Sequence, residues 1–196
     1  MNTQTVLSTL KKHIHDRFKS DTSGHNYDHM IRVSNMSTYI ARQEGLDPFL
    51  PEVIGLTHDY YDDKLVRDPA ESKQELMTLL KQTGFDSDTI DVIVNAIDVI
   101  SFRHNKEATT LLQQVVKDSD RLDAIGAIGI IRTIQYGTTH NRPLDETIQH
   151  FDDKLFHLKD LLHTETAQTI AKERHQLMRA FYDAYYDERD FLRDHH

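Results

Sequence analysis

The chain has 196 residues, a formal charge of −9 and no cysteine. It is long enough to bury one sizeable core without cross-links, and disulfides, thiolate metal sites and a cysteine nucleophile are all closed to it. An excess of 32 Asp and Glu over 23 Lys and Arg argues against a broad footprint on a nucleic-acid polymer, because such binding is driven by cations. A small anion remains acceptable if a metal supplies local positive charge. The opening MNTQTVLSTLKKHIHDRF has no apolar run of signal-peptide length, and nothing approaches the ~20 apolar residues of a membrane span. The expectation is a soluble, cytoplasmic protein without a membrane partner.

Only 7 Gly and 4 Pro occur and strict apolar alternation is missing, so the chain reads as helices. Val6, Leu7, Leu10, Ile14 and Phe18 predict an amphipathic helix over about residues 3–19, closed by Ser20 to Gly24. A second runs from about His25 to Glu44, with Met30, Val33, Ser37 and Ile40 on one face and Gly45 as its stop. A third begins near Pro51 and carries Val53-Ile54-Gly55-Leu56 into Thr57-His58-Asp59. The polar connection YYDDKLVRDPAES follows, then helices over Glu71–Gln82 and Asp88–Phe102. Leu111–Tyr136 forms one or two helices; Gly126 and Gly129 inside its apolar pattern point to close packing. Pro143 lies in a loop before a last pair, Leu144–Leu162 and Glu165–Arg193. No linker-like stretch divides residues 1–196, which predicts a single compact all-α domain.

Thirteen histidines and 23 aspartates make two His-Asp dipeptides unremarkable by number. Their settings differ. His15-Asp16 lies among lysines and arginine on an amphipathic helix, whereas His58-Asp59 closes an apolar run, where polar side chains need a partner. A second acidic stretch, Asp118-Ser119-Asp120-Arg121-Leu122-Asp123, leads into a strongly apolar segment. Acids there either cap a helix or bind a ligand. Imidazole and carboxylate donors without sulfur suit Mn²⁺, Fe²⁺, Ni²⁺ or Zn²⁺, and Mg²⁺ where oxygen donors dominate.

His29-Met30-Ile31-Arg32-Val33, then His58-Asp59, then Asp120 in Ser-Asp-Arg-Leu-Asp-Ala together resemble the HD-domain superfamily of metal-dependent phosphohydrolases. More narrowly they resemble its small stand-alone bacterial members of the YedJ/YpgQ-like type. The matching segments are Gly24-His25-Asn26-Tyr27-Asp28-His29, His58-Asp59-Tyr60-Tyr61-Asp62-Asp63-Lys64, Ile100-Ser101-Phe102 and Asp118 through Ile130. They fall within residues 24–132, with the C-terminal helices at 144–193 expected to pack against that region. Asn26 stands where the pattern commonly has Asp, Ser119 where it has Ala, and His104-Asn105 where many relatives have a small or glycine-rich turn.

The resemblance implies an HD-type all-α fold with His29, His58, Asp59 and Asp120 as metal ligands. Asp59, Asp62, Lys64 and His25 are implied on the catalytic side: Lys64 to neutralise phosphate charge, Asp62 to orient it or the attacking water, and His25 to meet phosphate or support the ligands. Arg32 and Arg121 would pair with carboxylates, and Asp123 would be structural. The implied activity is hydrolysis of a small phosphorylated substrate, a nucleotide, in the manner of a nucleoside triphosphate pyrophosphohydrolase with metal-activated water. A 5′-nucleotidase or cyclic-nucleotide phosphodiesterase uses the same chemistry, and a non-catalytic nucleotide-sensing module is the third reading. Phe181, Tyr182, Tyr185, Tyr186 and Phe191 fall at helical spacing as a packing stripe, with a homodimer contact as the alternative.

Overall fold

The structure, a computed structural model, describes residues 2–19, 26–100 and 106–194, with side chains as far as Phe191. Every regular element among them is helical: α1 Thr3–Phe18, α2 Tyr27–Gln43, α3 Phe49–Thr57, α4 Pro69–Gln82, α5 Ser87–Ile100, α6 Leu111–Asp123, α7 Gly126–Thr139, α8 Leu144–Asp153 and α9 Glu165–Asp194, with a 3₁₀ segment at Leu155–Leu161. His25 and the stretch Ser101 to Asn105 lie outside the described residues, and with them the expected continuation of α5 to Phe102. No helix among the described residues is long and apolar enough to cross a membrane.

The chain divides into two compact units, Met1–Asp120 and Arg121–His196. In the first, α3 is the central element. Pro51, Val53, Ile54, Gly55, Leu56 and Thr57 are all buried, as expected of a helix that is apolar all round. α2 packs along it, and α1 and α5 also lie against it. Leu10, Ile14, Met30, Ile54, Leu56, Leu76, Leu80, Ile93 and Ile97 make up the surrounding core. α1 buries only Val6, Leu10, Ile14 and Phe18, so its remaining faces meet water.

The sequence from Leu111 breaks into two helices at Ala124-Ile125, within the second unit. Gly126 opens α7 with φ +79°, a conformation that side-chain-bearing residues rarely adopt. A Cβ on Gly129 would lie 2.3 Å from the Ala124 carbonyl oxygen, so this glycine lets α7 turn back against the break itself. The predicted helix Leu144–Leu162 divides likewise into α8 and the 3₁₀ segment. Phe151 sits between them and α9, with its ring 5.8 Å from Phe181 and 6.0 Å from Phe156. Phe181 and Tyr182 thus serve packing, while Phe191 is exposed.

Candidate metal centre

His29 sits in the first turn of α2, whose start is fixed by Asn26. The Asn26 side-chain oxygen accepts the His29 backbone N–H at 3.1 Å, so the residue that departs from the commoner Asp still supplies the cap. His58 is the residue immediately after α3, and Asp59 follows in a turn. Because α3 is enclosed on all sides, both emerge inside the unit: His29 is fully buried, and His58 and Asp59 nearly so. Asp120 comes from the last turn of α6 and is partly exposed, which leaves the cluster open on one side.

The donor atoms converge. His29 Nε2 lies 3.2 Å from His58 Nε2, 3.4 Å from Asp59 Oδ2 and 3.4 Å from Asp120 Oδ1. His58 Nε2 lies 3.4 Å from Asp59 Oδ1 and 3.7 Å from Asp120 Oδ1. His29, His58 and Asp120 each offer one donor within 4.8 Å of the others, and Asp59 reaches the two imidazoles through separate oxygens.

The His58 Nδ1 faces the Gly55 carbonyl at 2.8 Å, so in the neutral ring its proton sits there and Nε2 carries a lone pair. That lone pair then faces another imidazole nitrogen and two carboxylates, a nitrogen-and-oxygen donor set of the kind that suits a divalent cation. Orientation of a ligating imidazole by a backbone carbonyl is how metal-binding histidines are commonly held. Donors at about 2.1 Å from an ion stand roughly 3.0–3.4 Å apart in octahedral or tetrahedral arrangement, close to the spacings found. The same crowding sets the electrostatics. Burial pushes the Asp120 carboxyl up, but hydrogen bonds and charge from His29 and His58 outweigh it and hold the group far below the usual carboxylate range. Burial pulls His58 down, and Asp59 together with Asp120 overcomes it, so the net direction is upward.

The other implied residues are placed differently. One carboxylate oxygen of Asp62 accepts the Lys64 backbone N–H at 2.9 Å, an Asx turn in the loop after α3, and the Lys64 side chain is exposed. Asp123 pairs with Arg132 at 2.7 Å, and Arg121 donates to the Leu161 carbonyl. His15 lies 3.5 Å from Asp16 and meets the Tyr27 ring edge-on at 5.0 Å, on the exposed side of α1. Gly55 escaped the sequence reading. Its signal was present, a lone glycine within an apolar helix three residues before His58, and its carbonyl turns out to face the His58 Nδ1.

A family model described as HD domain matches residues 26–125, a span that includes all four donors. The chain is 36% identical over 169 residues to the YpgQ protein of Bacillus subtilis, covering 82% of each. Among solved structures, Lin1889 from Listeria innocua superposes with a TM-score of 0.82 at 37% identity, covering 97% of this chain and 98% of that one. YpgQ in complex with ADP gives a TM-score of 0.85 at 29% identity over 96% and 97% of the two chains. An HD-superfamily hydrolase from Bacillus thuringiensis gives 0.81 at 28% identity over 96% and 99%.

Proposed function

The chain belongs to the HD domain family, and from that premise we propose that it is a divalent-metal-dependent hydrolase of phosphoester or phosphoanhydride bonds whose substrate is a nucleotide. The observation that carries this reading is the convergence of His29, His58, Asp59 and Asp120, in which each imidazole Nε2 stands 3.2–3.7 Å from the other and from a carboxylate oxygen of each aspartate. The chemistry a divalent cation supplies when bound is polarisation of a phosphoryl oxygen and activation of water as a nucleophile near neutral pH. His29 and His58 hold such an ion through Nε2, Asp59 and Asp120 through carboxylate oxygens, and the Gly55 carbonyl keeps the His58 proton on Nδ1. The partly exposed Asp120 marks the side from which substrate and water approach. His25, Asp62 and Lys64 are assigned to the substrate side from their places in the sequence pattern.

Support for a nucleotide comes from two directions. YpgQ has been crystallised with ADP, and the acidic balance of this chain suits a small ligand better than a polymer. The test is a panel of dNTPs, NTPs, nucleoside monophosphates and cyclic dinucleotides with Mn²⁺. Pyrophosphate and a monophosphate are the products expected; free phosphate would identify a nucleotidase and a linear nucleotide from a cyclic one a phosphodiesterase. Absence of turnover on every substrate, with His58→Ala indistinguishable from wild type, refutes the reading. Tight binding of a nucleotide that stays intact with metal present marks a sensing module instead.

A further inference from the structure

We propose that the phenol hydroxyls of Tyr60 and Tyr61 are positioning groups: they fasten the turn bearing His58 and Asp59 to the surrounding helices and so set how tightly the centre holds its cation. The inference rests on the metal-dependent reading above and assigns a task to two residues between Asp59 and Asp62 to which that reading gives no role.

α3 ends at Thr57, and the chain continues through two local backbone bonds, Tyr60 N–H to Thr57 O at 3.0 Å and Asp62 N–H to Asp59 O at 3.2 Å. Such a turn is closed by its own bonds, but they do not fix its orientation relative to α2 and α6, which carry the other ligands. Side chains must do that. The Tyr60 ring is buried at 1% exposure, and its hydroxyl lies 2.8 Å from His13 Nε2 and accepts from Arg17 Nη1 at 3.4 Å, both on α1. The Arg17 guanidinium lies over the same ring at 4.3 Å and continues to α4, donating to Ser72 Oγ at 3.0 Å and Glu75 Oε2 at 2.7 Å.

Tyr61 engages another pair of helices. Its hydroxyl donates to Asp98 Oδ1 at 2.9 Å and lies 3.3 Å from the Val94 carbonyl, both on α5. The second Asp98 oxygen takes Lys73 Nζ of α4 at 2.9 Å, and that ammonium lies 5.4 Å from the Tyr61 ring. Two consecutive phenols therefore tie the ligand-bearing turn to α1 and to α5, and α4 backs both ties through Arg17 and Lys73. A phenol buried without a partner is costly, so each hydroxyl prefers this one arrangement of the turn over its neighbours.

The test uses the full chain with Tyr60→Phe, Tyr61→Phe and the double variant, each of which removes oxygen and keeps the ring. Three readouts are needed: the Mn²⁺ dissociation constant from electron paramagnetic resonance of the free ion, the visible absorption of the Co²⁺-loaded protein, and thermal unfolding in chelator. Each single variant is expected to bind Mn²⁺ about tenfold more weakly, the lower end for loss of a group that orients a ligand, with a shifted Co²⁺ band. Tyr185→Phe, which removes a hydroxyl bonded to Asp145 in the second unit, leaves both unchanged. An unaltered Mn²⁺ constant and Co²⁺ band in both phenylalanine variants overturns the proposal, whatever happens to the unfolding temperature, because a purely structural tyrosine moves only that temperature. Should Tyr60→Phe fold poorly, Arg17→Met and Lys73→Met release the outer ends of the same ties and carry the same expectation. A wild type that retains no Mn²⁺, with His58→Ala behaving alike, removes the metal reading and the proposal together. A wild type that binds while the variants match it removes the proposal alone.

Discussion

Gly55→Ala gives the sharpest test of how the fold builds the centre. An added Cβ would lie 2.8 Å from the Ser34 Cα and 2.9 Å from Ser37 Oγ, both on α2. Carbon atoms in ordinary contact stand about 3.5–4.0 Å apart, so α2 and α3 must separate by roughly 1 Å locally. Overpacking of this kind costs about 1–3 kcal/mol. Alanine regains about 1 kcal/mol of helix propensity over glycine, which leaves a net loss of up to about 2 kcal/mol. For a chain of this size that corresponds to a fall in Tm of up to about 8 °C. The effect on the centre is larger in proportion. His29 rides on α2 and His58 ends α3, with their nitrogens 3.2 Å apart. Parting the helices by that amount takes the pair toward the roughly 4.2 Å diameter of a 2.1 Å coordination sphere, where two neighbouring donors no longer share an ion well. Isothermal titration with Mn²⁺ should show at least tenfold weaker binding, and thermal unfolding in chelator should show the loss of stability. A Gly55→Ala protein with wild-type unfolding and wild-type Mn²⁺ affinity would refute the argument that this contact sets the ligand spacing.

Asp59→Ala and Asp120→Ala should each abolish Mn²⁺ retention in metal analysis of the purified protein, together with any phosphohydrolase activity, whereas His15→Ala alters neither. Equal damage from His15→Ala would show that the wrong His-Asp pair had been assigned. Asn26→Ala removes the oxygen that accepts the His29 backbone N–H and should cost about 1 kcal/mol, or roughly 2–4 °C in Tm, while Asn26→Asp keeps the cap. Asp98 gives a pH test. Burial raises its pKa, but the Lys73 and Tyr61 hydrogen bonds outweigh it, so the folded value lies below the unfolded one. Its contribution to stability is therefore present above about pH 4 and is lost as pH falls through the folded pKa. Unfolding temperatures of wild type and Asp98→Asn should differ at pH 6 and draw together as the pH is lowered; a gap that stays constant or widens toward acid refutes the assignment.

Helix positions were legible because burial leaves a period. Leu10, Ile14 and Phe18 announce α1, and its observed ends differ from the expectation by a single residue. Breaks were harder to see. Leu111–Tyr136 looks continuous in composition, and its division depends on a backbone angle at Gly126 and on the space beside Gly129, neither of which leaves a periodic trace. The expected helix through Leu162 also gave no sign that Lys154 would interrupt it, since the apolar positions run on through Leu155, Phe156 and Leu158 into a tighter turn geometry. Asp62 shows what a pattern of letters leaves out: one of its carboxylate oxygens accepts the Lys64 backbone N–H and helps to close the turn after α3.

The two His-Asp pairs show why burial, and not the dipeptide, identifies a centre. α1 has a wet side, so His15 and Asp16 can face water and need nothing further. α3 has none: almost every residue from Pro51 to Thr57 is packed, and whatever follows it must leave through the interior. A histidine and an aspartate placed there lose most of their hydration, and that cost is tolerable only if other groups compensate. His29 and Asp120 arrive from distant parts of the chain to do so, and both imidazoles stand within 3.7 Å of the same Asp120 oxygen. Two imidazoles and two carboxylates are the donor set that the proposed cation requires, and it is the chain's own packing around α3 that keeps His58 and Asp59 away from water to form it.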